Sequence, residues 1–340
     1  MAFALSFELS RRVKDSQLAL DSPNKRKTQV RPISRLGGVA IFLPIALYAA
    51  LYGTATLSGL AHTHAPSEVP EQTTSTGIMT AGLIVLVVAS QWVIGFLDDL
   101  RALPTGLKLG AQLIVFSVAT YAGLQAIFVT PFGAITFGGV TILGSVAWLL
   151  VMTNSVNFMD GSNGLMAGSL AIMLAGLASV SADTLSHWLG LAVCIGAIAG
   201  FLCINLRGTL FAGDAGSLGL GSLFAALALA SGAGIWSVAT LALPFLLDVL
   251  MTLIWRARHG RPWLKPHRDH AYQRLIDVHG WSHFDVALLY WSMCVACAST
   301  AYIGAKAGGA APFIAFWGLS LSGVVLWWSH RRRTQRDENS

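Results

Sequence analysis

Four aspartates stand at the ends of apolar runs in three separate stretches of the chain. Asp98 and Asp99 end one run, Asp160 follows another, and Asp214 lies between two glycines just before a third. Paired carboxylates repel each other unless a cation or a proton lies between them. Mg²⁺ prefers oxygen ligands and commonly takes one or two carboxylates together with substrate phosphates and water. The pattern predicts a divalent-metal site for phosphoryl transfer, and a plain polar end of a helix is the structural alternative.

The residues around two of these aspartates favour the same chemistry. The stretch NSVNFMDGSNG brings Asn154, Asn157 and Asn163 close to Asp160, and AGDAGS places glycines on both sides of Asp214. Amide oxygens add ligands, and glycines at a helix start let backbone N–H groups approach a phosphate. The structural alternatives are a polar turn for the first stretch and a helix cap for Asp214.

A basic loop at residues 256–283 supplies histidines, arginines and aromatic residues. Its core, His267–Arg274, suits an anionic ligand that carries a base, such as a nucleotide. The alternative is that its positive charge only reflects membrane orientation. Asp248 lies inside an apolar run eight residues before Arg256 and is interpreted as structural, because a buried carboxylate needs a partner such as Arg256 or another basic group.

The elements that position these residues are membrane helices. The chain has 340 residues, of which 54% are hydrophobic and 11% charged, whereas soluble domains carry roughly 25% charged residues. Runs of about 18 or more apolar residues can cross a bilayer. The sequence predicts an all-α, polytopic membrane protein with about ten transmembrane helices and cytoplasmic active-site loops. The predicted helices lie at 36–60, 77–97, 107–128, 138–153, 164–181, 187–204, 217–231, 234–255, 284–304 and 311–329.

The distribution of positive charge predicts the orientation. With ten crossings, 21 of the 22 Lys and Arg residues fall on one side and only Lys306 falls on the other. Because Lys and Arg stay on the cytoplasmic side, both termini are predicted to be cytoplasmic, in a bacterial inner membrane. The chain is then a single domain, 1–340, with cytoplasmic segments at 1–35, 256–283 and 330–340. The net charge of +6 follows from this topology and does not indicate nucleic-acid binding.

The motifs, in this order, resemble the polyprenyl-phosphate N-acetylhexosamine-1-phosphate transferases, glycosyl transferase family 4, which include the phospho-MurNAc-pentapeptide translocases. The similarity covers nearly the whole chain. It is carried by DSPNKRK, RLGG, GFLDD, KLGAQ, NSVNFMDGSNG, FLCIN, FAGDAGS, PFLLD and HAYQRL.

The resemblance implies a role for each matching residue. Asn157 and Asp214 would hold Mg²⁺, for which Mn²⁺ could substitute, and Asp160 would lie near the metal. Asp98 and Asp99 would serve the attacking lipid phosphate as catalytic residues together with Asp160. The residues implied in nucleotide and phosphate binding are Lys108, Asn163, Asn205, His267, His270 and Arg274.

The resemblance also implies the substrates. The family loop usually reads His-x-His-His-Arg, whereas this chain has His270-Ala-Tyr-Gln-Arg274, which resembles the branch that starts O-antigen-type polysaccharides. The expected reaction moves N-acetylhexosamine 1-phosphate from a UDP-sugar to undecaprenyl phosphate and releases UMP. The bilayer and these two substrates are the expected partners; a homodimer and the identity of the amino sugar are left open.

Two other classes of membrane protein match the sequence less well. A transporter for an anionic solute would be expected to show an internal repeat and ionisable residues at mid-membrane, and only Asp248 lies inside a run. A CDP-alcohol phosphotransferase would carry a closely spaced Asp-Gly-x-x-Ala-Arg signature, which this sequence lacks.

Overall fold

The structure is a computed structural model that describes residues 1–21, 32–57, 71–126, 128–130, 133–135, 137–181, 185–262, 265 and 267–339. Within these residues the chain is almost entirely helical, with two short antiparallel hairpins. The strands pair as β1 (Leu20–Asp21) with β2 (Ile33–Ser34) and β3 (Val129–Thr130) with β4 (Gly133–Ala134). The helices are α1 (Ala2–Val13), α2 (Gly37–Leu57), α3 (Glu71–Leu100), α4 (Thr105–Tyr121), α5 (Gly138–Phe158), α6 (Leu165–Val180), α7 (Leu185–Asn205), α8 (Gly213–Ala230), α9 (Ile235–Arg258), α10 (Ala271–Asp277), α11 (His283–Ala307) and α12 (Ala311–Asn339).

Each of the ten predicted crossings is a helix, so the predicted all-α membrane architecture is confirmed. Eight helices of the described residues are long and apolar enough to cross a bilayer, namely α2, α3, α5, α7, α8, α9, α11 and α12. The other two, α4 and α6, have 17 and 16 residues, at or just below the lower end of the usual range for a spanning helix. The chain is therefore a multi-pass membrane protein.

The helix α4 ends earlier than the apolar run that predicted it. The run continues to residue 128, but Gly123 adopts a φ of +115°. The N–H of Leu124 donates to the carbonyl of Ala119 (3.0 Å) and the N–H of Gly123 to that of Thr120 (3.1 Å). This is the paired bonding of a Schellman motif, in which a glycine past the helix end closes the last turn. Hydropathy alone does not detect such a stop.

Two predicted cytoplasmic segments contain helix. Within 1–35, α1 packs on α7, where the hydroxyl of Ser6 donates to the carbonyl of Ala197 at 2.7 Å and is fully buried. The tail 330–340 continues α12 as far as Asn339. The sequence missed both helices because α1 is short and amphipathic and the end of α12 is rich in arginine. The short α10 inside the basic loop was not predicted either.

The helix α8 lies at the centre of the bundle and is the most buried of the eight candidate spans, whereas α12 is the least buried. Around α8 pack α2, α3, α5, α6 and α9. Glycines permit the closest approaches: a Cβ on Gly95 of α3 would lie 2.2 Å from the carbonyl oxygen of Asp214, and one on Gly38 of α2 would lie 2.5 Å from the backbone N of Gly216. The amino-terminal end of α8 is therefore held directly against two neighbouring helices.

Candidate active site

Asp99 holds the amino-terminal end of α8 against the carboxyl-terminal end of α3. Its two carboxylate oxygens accept hydrogen bonds from the backbone N–H groups of Asp214 and Ala215, both at 3.0 Å. These N–H groups lack partners within the helix, so a buried carboxylate is a suitable acceptor for them. The side chain of Asp99 is only 2% exposed. Asp99 therefore positions Asp214, and both carboxylate oxygens of Asp99 are engaged in these hydrogen bonds.

Asp98, the adjacent residue, belongs to a different cluster. The Nζ of Lys108 lies 2.8 Å from Oδ2 of Asp98 and 3.4 Å from Oδ2 of Asp214. Asp98 accepts a further hydrogen bond from the N–H of Leu103 at 2.6 Å. One lysine on α4 thus bridges two carboxyl groups that are 116 positions apart in the sequence.

Asn157, in the last turn of α5, approaches the same carboxylate from the opposite side. Its side-chain NH₂ donates to Oδ1 of Asp214 at 3.2 Å and to Oγ of Ser217 at 2.9 Å. One turn earlier, Asn154 donates to Gln112 of α4 at 2.8 Å. Ser217 was not predicted as a site residue, although it ends the AGDAGS motif. Its hydroxyl adds one more oxygen next to Asp214.

Asp160, the fourth of the predicted acids, lies in the turn between α5 and α6. Removal from water, followed by the nearby carboxylates of Asp214 and Asp99, raises the pKa of Asp160 well above its ordinary value, and the charge of Arg35 opposes this. Contacts join Asp98 to Asp214 through Lys108, and Asp99 to the start of α8. The part of Asp160 in this group stays a prediction.

Arg35 is a second cation at this cluster, and the sequence did not single it out. Its guanidinium bonds the carboxylate of Asp21 in β1 and lies 3.8 Å from Oδ1 of Asp99. The RLGG stretch that begins with Arg35 is held in place by the N–H groups of Gly37 and Gly38, which donate to the carbonyls of Phe211 and Ala212. In the sequence, Arg35 is recognisable only as the arginine of the RLGG stretch. This pattern alone does not predict which acids the arginine contacts.

The two asparagines implied in nucleoside contact lie together near the turn that contains Asp160. Asn205 is buried; its Oδ1 accepts from the N–H of Gly164 at 2.7 Å and its NH₂ donates to the carbonyl of Leu210 at 2.9 Å. The Asn163 side chain lies close to Gly208. Asn205 thus holds two loops together in these contacts, and a nucleoside contact for either residue stays a prediction.

The predicted nucleotide loop is close to the turn at Asp160 but distinct from the acidic cluster. The hydroxyl of Tyr272 donates to the carbonyl of Phe158 at 3.0 Å, and the His270 ring stacks on Phe158 with centroids 5.7 Å apart. Burial, followed by the charges of His270 and Arg256, lowers the pKa of His267 to about 4. His267 is therefore neutral near pH 7 and is suited to hydrogen bonding rather than to charge pairing with a phosphate.

Arg274 and Asp248 have partners that differ from those suggested by the sequence. The Nε of Arg274 donates to the hydroxyl of Thr334 at 2.9 Å in a buried contact, so its assignment to the substrate phosphate stays a prediction. Of the two suggested partners of Asp248, Arg256 bonds Asp269 instead. The alternative, another basic group, is His270, whose Nδ1 lies 3.6 Å from Oδ1 of Asp248. Asp248 itself is structural, as expected, but through the start of α10.

The donor set fits a hard divalent cation. Asp214, Asn157, Ser217, Asp98 and Asp160 offer only oxygen atoms for coordination, and in the described part of the chain Lys108 and Arg35 face the carboxylates of Asp98, Asp99 and Asp214. In those residues no three His, Cys, Asp or Glu side chains lie close enough together to hold a metal ion by themselves. This suits Mg²⁺, which uses few protein ligands and completes its shell with phosphate and water, better than zinc.

Comparisons with known proteins support the predicted resemblance. The family model "Glycosyl transferase family 4" matches residues 80–232, which include Asp98, Lys108, Asn157 and Asp214. The decaprenyl-phosphate N-acetylglucosaminephosphotransferase of Mycobacterium tuberculosis is 27% identical over 91% of this chain and 79% of its own length.

Two further relatives represent neighbouring parts of the family. A probable undecaprenyl-phosphate N-acetylglucosaminyl 1-phosphate transferase of Bacillus subtilis is 29% identical over 80% of this chain and 74% of its own length. The phospho-N-acetylmuramoyl-pentapeptide-transferase of Desulforudis audaxviator is 29% identical over 67% of this chain and 76% of its own length. The family resemblance predicted from the motifs is confirmed.

Proposed function

From this similarity to glycosyl transferase family 4, we propose that the chain transfers a sugar 1-phosphate from a nucleotide-sugar to a polyprenyl phosphate within the membrane. The donor is a UDP-N-acetylhexosamine, the acceptor is undecaprenyl phosphate and the nucleotide product is UMP. The names of two relatives include both a polyprenyl phosphate and N-acetylglucosamine, and this supports the two substrate classes. The product would begin a bacterial surface polysaccharide such as the lipopolysaccharide O-antigen, because the His270–Arg274 loop resembles the branch that starts such polysaccharides.

One observation carries this proposal. Asp98, Lys108, Asn157 and Asp214 come from four different helices and form one connected set of hydrogen bonds, in which Lys108 bonds Asp98 and Asp214, and Asn157 bonds Asp214. Neighbouring carboxylates repel each other unless a cation lies between them. The cluster combines carboxylates with a lysine, which suits the binding of a phosphate through a metal and a cation.

In the reaction, an oxygen of the lipid phosphate attacks the sugar-bearing phosphorus of the donor. The new P–O bond forms as the bond from that phosphorus to the bridging oxygen breaks, and the bridging oxygen leaves with UMP. When bound, Mg²⁺ would neutralise charge that develops on the diphosphate, and Asp214 and Asn157 would hold it. Lys108, whose Nζ lies 3.4 Å from Oδ2 of Asp214, would contact the same phosphate oxygens.

Asp98 positions the reacting groups in this scheme. A phosphomonoester has its second pKa near 6 and is largely dianionic at neutral pH, so its attack needs no strong base. The carboxylate of Asp98 already fixes the Lys108 ammonium at 2.8 Å. Asp98 therefore orients Lys108, and Asp99 orients Asp214 through the start of α8.

Radiolabelled transfer in washed membranes tests the proposal. Membranes that contain the wild-type chain should convert undecaprenyl phosphate and at least one of UDP-GlcNAc, UDP-GalNAc, UDP-QuiNAc or UDP-FucNAc into a labelled lipid and release UMP. Asp214→Asn should lower the rate at least about a hundredfold at equal protein in the membrane. Asp15→Asn, on an exposed residue, is the matched control and should keep the wild-type rate.

Metal removal tests the cofactor in the same membranes. EDTA should abolish transfer, and excess Mg²⁺ should restore it, with Mn²⁺ as a substitute. Full activity in EDTA would eliminate the metal assignment. Uptake of a labelled anionic solute into vesicles without any lipid product would instead favour the transporter.

A further inference from the structure

The carboxyl-terminal end of α12 contacts the predicted nucleotide loop directly. The sequence indicates only an arginine-rich tail there, which positive-inside bias explains without any further role. In the structure Arg331 and Thr334 are buried, at 2% and 0% exposure, whereas the neighbouring Arg332 and Arg333 are exposed. Positions three apart on a helix share one face. One face of this helix end is therefore packed against the protein.

Arg331 holds the loop at Asp269. Its Nη1 donates to the backbone carbonyl of Asp269 at 3.0 Å and its Nη2 lies 3.5 Å from the carboxylate. The guanidinium stacks over the ring of Trp255 in α9, 3.7 Å from the centroid. Arg256 bonds the same carboxylate. A buried arginine is retained only when its charge is paired, and here the pairing joins α9, the loop and α12.

Thr334 provides a second contact five residues further along the loop. Its hydroxyl accepts a hydrogen bond from Nε of Arg274 at 2.9 Å and donates to the carbonyl of Arg331 at 2.9 Å. Both side chains in this contact are buried. The two residues of α12 therefore bind the loop segment 267–274 near its beginning and at its end.

Between these two contacts, Asp248 of α9 fixes the start of α10. Its carboxylate accepts from the N–H groups of Ala271 (2.7 Å) and Tyr272 (3.2 Å) and from the hydroxyl of Tyr290 (2.7 Å). The segment is thus held at positions 269, 271, 272 and 274 by α9 and α12. Neither helix supplies the acidic cluster, which comes from α3, α4, α5 and α8.

We propose that Arg331 and Thr334 are positioning residues for the nucleotide-sugar: they hold segment 267–274, with its partly exposed His267 and its buried His270, beside the turn at Asp160, where the donor would bind. This inference rests on the proposed function. In the described residues the contacts above join the end of α12 to α9 and to the loop, so we expect it to act on the donor and to leave the lipid phosphate, assigned to Asp98, unaffected.

Steady-state kinetics of four variants tests this role. Arg331→Ala and Thr334→Val should each raise the KM for the UDP-sugar about tenfold and change the KM for polyprenyl phosphate less than twofold, because only donor placement is lost. Thr334→Ser keeps the hydroxyl and should restore the wild-type KM. Arg332→Ala, on the exposed neighbour, is the matched control and should behave as wild type. Equal losses for both substrates, or no change in the donor KM, would overturn the proposal.

Hydrogen–deuterium exchange on the purified full chain gives a readout that does not depend on activity. Arg331→Ala should speed exchange of the amides in 267–277 at least about tenfold and leave those at the start of α8 as in wild type. Unchanged exchange in 267–277 would overturn the proposal. Wild-type membranes that make no lipid product would instead refute the proposed function, and the exchange data would still decide whether α12 holds the loop.

Discussion

Asp98 and Asp99 are neighbours of the same residue type, yet the structure gives them different tasks. Both oxygens of Asp99 accept backbone N–H groups at the start of α8, whereas Asp98 faces Lys108. Successive helix positions point about 100° apart, so the two carboxylates meet different neighbours. The sequence assigned both to catalysis; in the structure Asp98 bonds Lys108 and Asp99 places Asp214.

Substitution by asparagine should separate these two roles. Asp98→Asn should lower the transfer rate about a hundredfold and leave the melting temperature of the purified protein near wild type. Asp99→Asn should lower both, because its NH₂ group would oppose one of the two N–H donors, and a buried unsatisfied group costs about 1–3 kcal/mol. Transfer assays and thermal unfolding in detergent measure the two effects. Equal melting temperatures for the two variants would contradict this assignment.

At the scale of elements, the site depends on how closely α3 crosses α8. Gly95 lies one turn before Asp99, where the α3 backbone meets the carbonyl of Asp214. A glycine inside a helix costs up to about 1 kcal/mol relative to alanine, so its presence here reflects the contact. Without this approach, the carboxylate of Asp99 could not reach the first N–H groups of α8.

The matched pair Gly95→Ala and Gly82→Ala tests the crossing. A Cβ at position 95 would lie 2.2 Å from the Asp214 carbonyl oxygen, whereas one at position 82 of the same helix meets nothing within 4 Å. Overpacking of this kind costs about 1–3 kcal/mol. We expect Gly95→Ala to lower thermal stability and abolish transfer, and Gly82→Ala to keep both at or above wild type. Full activity of Gly95→Ala would rule out the close crossing.

At the scale of the whole molecule, the helix ends divide between two sides. If the spanning helices alternate in direction, the ends that carry the acidic cluster, the basic loop and the end of α12 share one side, and the connection between α11 and α12, which follows Lys306, is on the other. The sequence predicts 21 of the 22 Lys and Arg residues on the first side. The positive-inside rule predicts that the first side is cytoplasmic, and a UDP-sugar made in the cytoplasm would reach the site from there.

Cysteine labelling tests this orientation. A membrane-impermeant maleimide on intact spheroplasts should label Ala307→Cys, at the end of α11, and should label Arg258→Cys, at the end of α9, only after permeabilisation. Both positions are exposed. The unsubstituted chain measures the background labelling, because Cys194, Cys294 and Cys297 are buried and Cys203 is half-buried. The opposite labelling pattern would reverse the predicted topology.

The sequence by itself determined the membrane class, the ten helices and the group of four aspartates. Apolar runs report helices because backbone groups in a bilayer must bond within their own segment. Charge bias and motif order then located the acids at helix ends. The end of α4 at Gly123 could not be predicted in this way, because it depends on one backbone angle. The helix α1 could not be predicted either, because its burial depends on a partner helix.

The tertiary structure alone decided which polar group pairs with which. Asp248 caps α10 rather than binding Arg256, and Arg331 pairs with Asp269. The side-chain amide of Asn205 bonds two backbone groups. These partners are separated by up to 62 residues in the sequence, and each pairing depends on which helix faces lie within about 3 Å of each other. Composition and spacing carry no information about that distance, because it follows from how side chains of different helices pack together.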